Sequence, residues 1–422
     1  MNTVWQDRWQ ALAGQLGQMS TAYSQSSTSV GLSLHALTES LLAFGEDQFK
    51  FFWNGFNAER LLPSMGLPRK HVLRATLDQV AFDMAIIQRI NTQRNQPALL
   101  PAQEVADKLA QKALNVAVDG ELLPKCSVLT YFNKSANIRL IPYAPMALIG
   151  IPFSAATVTK DFLAIPHEVG HYVYHHAPGL AAHLHACIPL YPDWINRWLE
   201  EVFADVFAAY VAGPVCGLSL QEILADNSQA RFIADDGAHP PDAIRPFGFS
   251  EALRHLGGKQ VADDLDTLWQ DRLASRHYPN EFMPYNSTTA ASLDQAKELI
   301  GQTAVLFLNF LENELGLTRP TPWTSGNKAD DTLFDSFKTF CDSLTVDQYH
   351  LKVEDKNVGV YKPGSSLENA RPKGNTQTWR DWIKADSRAN PNTKLPAQAW
   401  VPVFTAGHWP VKGPEGNSDG GL

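Results

Sequence analysis

A mainly helical α+β protein with one small sheet is predicted from three features of this 422-residue chain. Long stretches repeat apolar residues at helical spacing. One short region, beginning at residue 126, reads as strands instead. Two helical stretches carry histidines or carboxylates four residues apart, which places each pair on one helix face. The expected division is a helical region over 1–125, a domain carrying the strands and the paired residues over 126–320, and a C-terminal helix with an irregular wrapping tail over 321–422.

Composition sets the bounds. Hydrophobic residues make up 44% of the chain and charged residues 19%, enough apolar material for a large core and more than one domain. The net charge is -9 with no long basic run. Nucleic acid is therefore not an expected partner, because phosphate binding wants a clustered positive surface. Cys126, Cys187, Cys216 and Cys341 are scattered, without a C-x-x-C, and read as free thiols in a reducing compartment. The first residues lack the basic start and apolar core of a signal peptide. No apolar run is long enough for a transmembrane helix. The expected location is cytoplasmic.

In the N-terminal region Trp5, Trp9, Leu12, Leu16 and Met19 recur at helical spacing. Residues 32–62 are apolar, with a dense aromatic cluster of Phe49, Phe51, Phe52, Trp53 and Phe56 that reads as a helix packed in a core. Residues 72–90 and 102–118 complete a helical bundle, separated by a polar, proline-containing connection at 91–101. A helical region of this size offers a surface for a protein partner, though no pattern names one.

Strands are expected at 127–132, 138–143 and 146–151, with a turn at 133–137. Pro142 and Pro152 point to sheet edges, since proline cannot donate to a ladder. An open edge at 147–151, just before the first site helix, would clamp an extended peptide through main-chain hydrogen bonds.

That helix carries His167-Glu168-Val169-Gly170-His171. Four residues apart, His167 and His171 can direct ring nitrogens at one metal ion. Glu168 then stands beside the ion's open position, where it can take a proton from water, as in a zinc peptidase. Thr159 or Asp161 is the expected cap, and Pro166 fits the first turns. Tyr174 and Ala177 exclude the longer H-E-x-x-H-x-x-G-x-x-H ligand pattern. His175, His176, His183 and His185 read as helix-end and loop residues.

A second helix is expected from Asp193, its N-cap, to the Gly213-Pro214 break. It is apolar nearly all round and should be buried. Glu201 and Asp205 therefore need partners, because an unpaired buried charge is destabilising. A metal satisfies Glu201, and the N–H of a ligating histidine satisfies Asp205. Glu200 lies about 100° round the helix from Glu201. It is expected to face solvent, and it is the rival for the ligand role. Ser219-Leu220-Gln221-Glu222 reads as a capping box opening a helix that ends near 235–237. His239-Pro240-Pro241-Asp242-Ala243-Ile244-Arg245 then suits a site wall. Its stiffly held histidine, oriented by Asp235 or Asp236, could donate to an oxyanion.

In this order, H-E-V-G-H at 167–171, E-V-F-A-D at 201–205 and H-P-P-D-A-I-R at 239–245 resemble the glutamate-ligand zinc metallopeptidases, the gluzincins. The set is most similar to the group of the heat-shock membrane protease and the CAAX prenyl endopeptidase, although this chain lacks their transmembrane helices. The resemblance implies a zincin-like domain with Zn2+ on His167, His171 and Glu201. It implies Glu168 as general base, Asp205 behind the ligands, and His239 and Arg245 near a peptide or protein substrate.

Further on, residues 292–315 form an amphipathic helix carrying Leu299, Ala304, Phe307, Leu308 and Leu311, and 332–344 form another. Beyond Lys352 the chain is rich in proline, glycine, asparagine and tryptophan (Trp379, Trp382, Trp400, Trp409), which suits a tail wrapped on the body or one covering the cleft. The expected function is a zinc metallopeptidase. Two alternatives stay open: a zinc hydrolase of a non-peptide substrate, and a non-catalytic metal-binding interaction module. Three apparent protein ligands, against the four of structural zinc, argue for catalysis.

Overall fold

The structure is a computed structural model of the chain, and it describes residues 3–57, 61–62, 70–141, 143–177, 179–276, 280–352 and 395–396. It is mainly helical with a small sheet, as the periodicities require. Helices α1 (Val4–Ser24), α2 (Ser29–Asn57) and α3 (Lys70–Arg94) pack as a bundle. Phe49, Phe52 and Phe56 are buried, and Trp9 stacks on Phe49 at 5.7 Å between ring centroids. This aromatic stripe is therefore core, as aromatic faces at helical spacing usually are. The side chain of Phe51 lies outside the described residues. The two-residue strand β1 (Leu61–Leu62) follows α2 and pairs in parallel with β7 (Leu395–Pro396).

The main sheet holds β2 (Ser127–Asn133), β3 (Asn137–Arg139) and β4 (Met146–Pro152) in the order β2-β4-β3. The edge expected at 147–151 is not open. β4 is central, parallel to β2 along its whole length and antiparallel to β3 at Leu148, Ile149 and Gly150. Its main-chain groups there are already paired, so it cannot clamp a peptide. β3 is also shorter than the expected strand at 138–143, and Pro142 lies outside the described residues.

Both faces of the sheet are buried, which is why its strands read as continuous apolar runs. Leu129, Tyr131, Met146 and Leu148 face the N-terminal bundle. Val128, Phe132, Ala147, Ile149 and Ile151 face the other way, into the larger core. The sheet is thus a wall shared by two cores. Helix α4 (Leu100–Asp119) sends Ala106, Leu109, Ala113 and Leu114 into the larger core, not into the bundle. The two cores therefore meet at the sheet.

A 3-10 turn (Thr159–Ala164) leads into α5 (Ile165–His176), so neither Thr159 nor Asp161 caps it. Pro166 sits in its first turn, where its missing N–H has no helical partner to lose. After α6 (Leu180–Cys187) comes α7 (Asp193–Ala212), in which Asp193 is the first helical residue rather than the cap. Helices α5 and α7 cross closely because Gly170 lacks a side chain. A Cβ there would fall 2.7 Å from Ala204 Cα. Gly213 turns the chain at φ +77° and Pro214 opens α8 (Pro214–Ala225). Ser219 is therefore buried inside α8 instead of capping it. The helix stops ten residues before the expected end near 235.

The chain continues through α9 (Gln229–Phe232), α10 (Arg245–His255) and α11 (Lys259–Arg276) to the hairpin of β5 (Glu281–Phe282) and β6 (Ala291–Ser292). Ser292 caps α12 (Leu293–Asn309) by accepting from the Gln295 N–H. Helix α13 (Thr332–Asp342) buries Leu333, Phe337 and Cys341 in the larger core, where Trp323 stacks on Phe337 at 5.9 Å. Trp323, Leu333, Phe337, Cys341 and Leu344 thus share the larger core with the site helices. The tail tryptophans Trp379, Trp382, Trp400 and Trp409 lie outside the described residues. The four cysteines are free thiols. Among the described residues no helix is long and apolar enough to cross a membrane.

Candidate metal centre

Where α5 crosses α7, the side chains of His167, His171 and Glu201 converge, all buried. Helical spacing points both rings of α5 at α7, and Glu201 answers from the middle of that helix. His167 Nε2 and His171 Nε2 are 3.0 Å apart. Glu201 Oε1 lies 3.4 Å from His171 Nε2, and its Oε2 lies 3.5 Å from His167 Nε2. Bonds of about 2 Å to a tetrahedral ion put its ligand atoms roughly 3.3 Å apart. The spacing of the three groups matches that requirement.

The other ring nitrogens show which atoms are free to ligate. His167 Nδ1 is 2.9 Å from Asp205 Oδ1, and His171 Nδ1 is 3.0 Å from Glu200 Oε1. A carboxylate beside each Nδ1 fixes the proton there and leaves the Nε2 lone pairs facing inward. His171 Nε2 then looks at two acceptors, His167 Nε2 and Glu201. Acceptors brought together in this way need positive charge, which the Arg245 guanidinium supplies in part and a proton or a metal ion would complete.

Charge balance makes the same point. Glu168, Glu201 and Asp205 gather around one guanidinium, that of Arg245, while Glu200 lies against His171 and His175. Burial disfavours charge on His171, yet Glu201 and Glu200 outweigh it and push its pKa up to about 9. Burial likewise opposes charge on Glu201, but His171 and His239 hold its carboxyl well below the usual range. Glu168 differs. Its pKa is raised chiefly by burial, and the histidines beside it only partly offset this.

Arg245 is held inside, against the candidate ligands His167 and Glu201. It is 4% exposed and donates from Nε and Nη2 to the two oxygens of Asp205, at 2.7 and 2.9 Å. Its Nη2 is also 3.2 Å from Glu201 Oε2 and 3.3 Å from His167 Nε2. Two buried carboxylates, Asp205 and Glu201, hold the guanidinium inside. Asp205 bridges this arginine to His167.

Glu200 does not simply face solvent either. Its Oε1 joins His171 Nδ1 to His175 Nε2, which is 2.7 Å away. Sequence reasoning missed this pairing because it depends on how α7 is rotated against α5. The available signal was His175, which sits four residues after His171 on the same face. His239 is held at Nδ1 by Asp236 Oδ2 at 2.8 Å, and its Nε2 lies 3.3 Å from Glu201 Oε1. Burial opposes its charge, but Glu201 and Asp236 outweigh that and push its pKa up to about 10. Residues from α5, α7 and the 239–245 segment are thus brought to one point.

Among the described residues His167, His171 and Glu201 form the one group able to hold a metal ion. Comparison with protein-family models, with curated proteins and with solved structures yields no match.

Proposed function

We propose that this protein is a zinc metallopeptidase of gluzincin type, with the ion on His167, His171 and Glu201. The observation that carries the reading is the pair of inward-facing Nε2 atoms closed by Glu201, with the buried Glu168 one residue from the first ligand. A bound zinc ion would supply the Lewis acid that activates water and polarises a carbonyl. Glu168 takes the proton from the attacking water and returns it to the leaving amine. Burial suits it to that exchange by raising its pKa toward the working range. His239, oriented by Asp236, donates from Nε2 to the oxygen that gains charge as the carbonyl is attacked. Asp205 and Glu200 hold the two ligating rings, and Arg245 balances Asp205 and Glu201.

The test combines elemental analysis with cleavage of an unstructured protein substrate. We expect about one zinc per chain in the wild type, and much less in Glu201→Ala. Glu168→Gln should keep the metal but lose roughly 10²–10⁴-fold in rate. Full activity in Glu168→Gln would refute the mechanism. Absence of metal after zinc is supplied would leave an interaction module. Cleavage of esters or small amides alone would point to a non-peptide substrate.

A further inference from the structure

Asp235 has no part in the chemistry above, yet its side chain is fully buried and gathers donors from three elements. Its Oδ1 accepts from Trp198 Nε1 of α7 at 3.0 Å and from the Gly237 N–H at 2.9 Å. Its Oδ2 accepts from the Tyr285 N–H of the 281–292 hairpin at 2.8 Å. Arg197 of α7 completes the set, with Nη2 3.7 Å from Asp235 Oδ2 and donating to the Tyr285 carbonyl at 3.2 Å. Trp198 is three residues before Glu201, so it shares that ligand's side of α7. The neighbouring Asp236 turns the other way, accepting from the N–H groups of Ala238 and His239 and from the His239 ring.

We infer that Asp235 is the positioning residue that sets His239 over the metal centre, by tying the His239 loop and the 281–292 hairpin to α7. Packing supports the tie. Gly237 has φ +90°, and a Cβ there would come within 2.7 Å of the Tyr285 ring. A bridge joins Ala234 to Met283, and Phe282 packs on Trp194 and Trp198. The hairpin is thus seated against the loop at its backbone. A buried carboxylate accepting several N–H groups holds them more firmly than a neutral acceptor does.

The catalytic consequence rests on the peptidase reading, so the test has two arms. In the first, Asp235→Asn is compared with wild type by amide hydrogen exchange on the zinc-loaded protein. The Ala238 and His239 N–H groups bond to Asp236, not to Asp235, yet they should exchange about tenfold faster in the variant. Trp198→Phe, which removes one donor only, should shift them less in the same direction. Unchanged exchange in Asp235→Asn would overturn the inference.

In the second arm, Asp235→Asn should lower kcat roughly 10–100-fold, with KM and zinc content unchanged. In a His239→Ala background it should cost no more than about twofold further. An equal loss in both backgrounds would show that Asp235 does not act through His239, and would overturn the catalytic role. If the zinc-loaded wild type cleaves nothing, the proposed function fails, and the exchange arm alone decides whether Asp235 holds the loop.

Discussion

Two buried polar clusters in this molecule use the same residue types to different ends. On one side of the sheet, Asp107 of α4 accepts from Arg94 through both terminal nitrogens, at 2.6 and 2.8 Å. It also accepts from the Thr130 N–H and hydroxyl, at 2.8 and 2.7 Å. Arg94 in turn donates to the Thr130 carbonyl. One acid meets one base, and the acceptor atoms of Asp107 are all occupied. Where α5 crosses α7, by contrast, several carboxylates surround a single guanidinium, and ring nitrogens face one another across 3.0 Å. The first cluster is electrically closed and joins α3, α4 and β2. The second gathers more carboxylates than its one guanidinium offsets. A closed network can serve the fold alone, whereas the His167, His171 and Glu201 group could hold a metal ion.

Breaking the closed cluster should have the largest effect. Asp107→Ala leaves Arg94 buried without its acid, and should cost about 3–5 kcal/mol in denaturant unfolding. Zinc content per folded chain should be unchanged. A parallel loss of metal would show that the two clusters are not independent.

Asp205→Asn probes the open cluster with little change in shape. The amide no longer fixes the His167 tautomer or balances Arg245, and metal affinity should fall about 10–100-fold in competition with a chelating dye. An affinity equal to that of wild type would mean that Asp205 serves only the fold.

The subtlest contrast is in protons. With its pKa raised to about 9, metal-free His171 is protonated at neutral pH. A metal ion must displace the proton on Nε2. Zinc binding should therefore release protons in weak buffer at pH 7. Its affinity should rise by about tenfold per pH unit for each proton displaced, levelling off above about 9. The Arg94–Asp107 cluster predicts no such release, so Glu201→Ala, which empties the open site, should abolish it.

Local arithmetic made much of the site readable. Residues four apart share a helix face, so His167 with His171 and Glu201 with Asp205 could each be paired from spacing alone. Buried carboxylates need partners, which told Glu201 and Asp205 apart from a solvated acidic face. Glu200 could not be placed in this way. Its neighbours His171 and His175 come from another helix, and only the close crossing at Gly170 and Ala204 brings them within reach. Arg245 was legible as a site residue but not as the partner of Asp205 and Glu201. That placement follows from α10 packing against α7.

The sheet shows the same division. Apolar runs bounded by turn residues marked three strands near their true positions. Strand order was hidden, because β2 and β4 pair in parallel although β3 lies between them in sequence, and such pairing leaves no local trace. The chain by itself determined the bundle helices and the two site helices, the buried character of its strands and the pairing of site residues within each helix, because these depend on neighbours a few positions apart. Only the tertiary structure decided which strand is central, which core α4 joins, and how Glu200, Arg245 and Asp235 support the centre. Those outcomes depend on the angle and rotation at which separate elements pack.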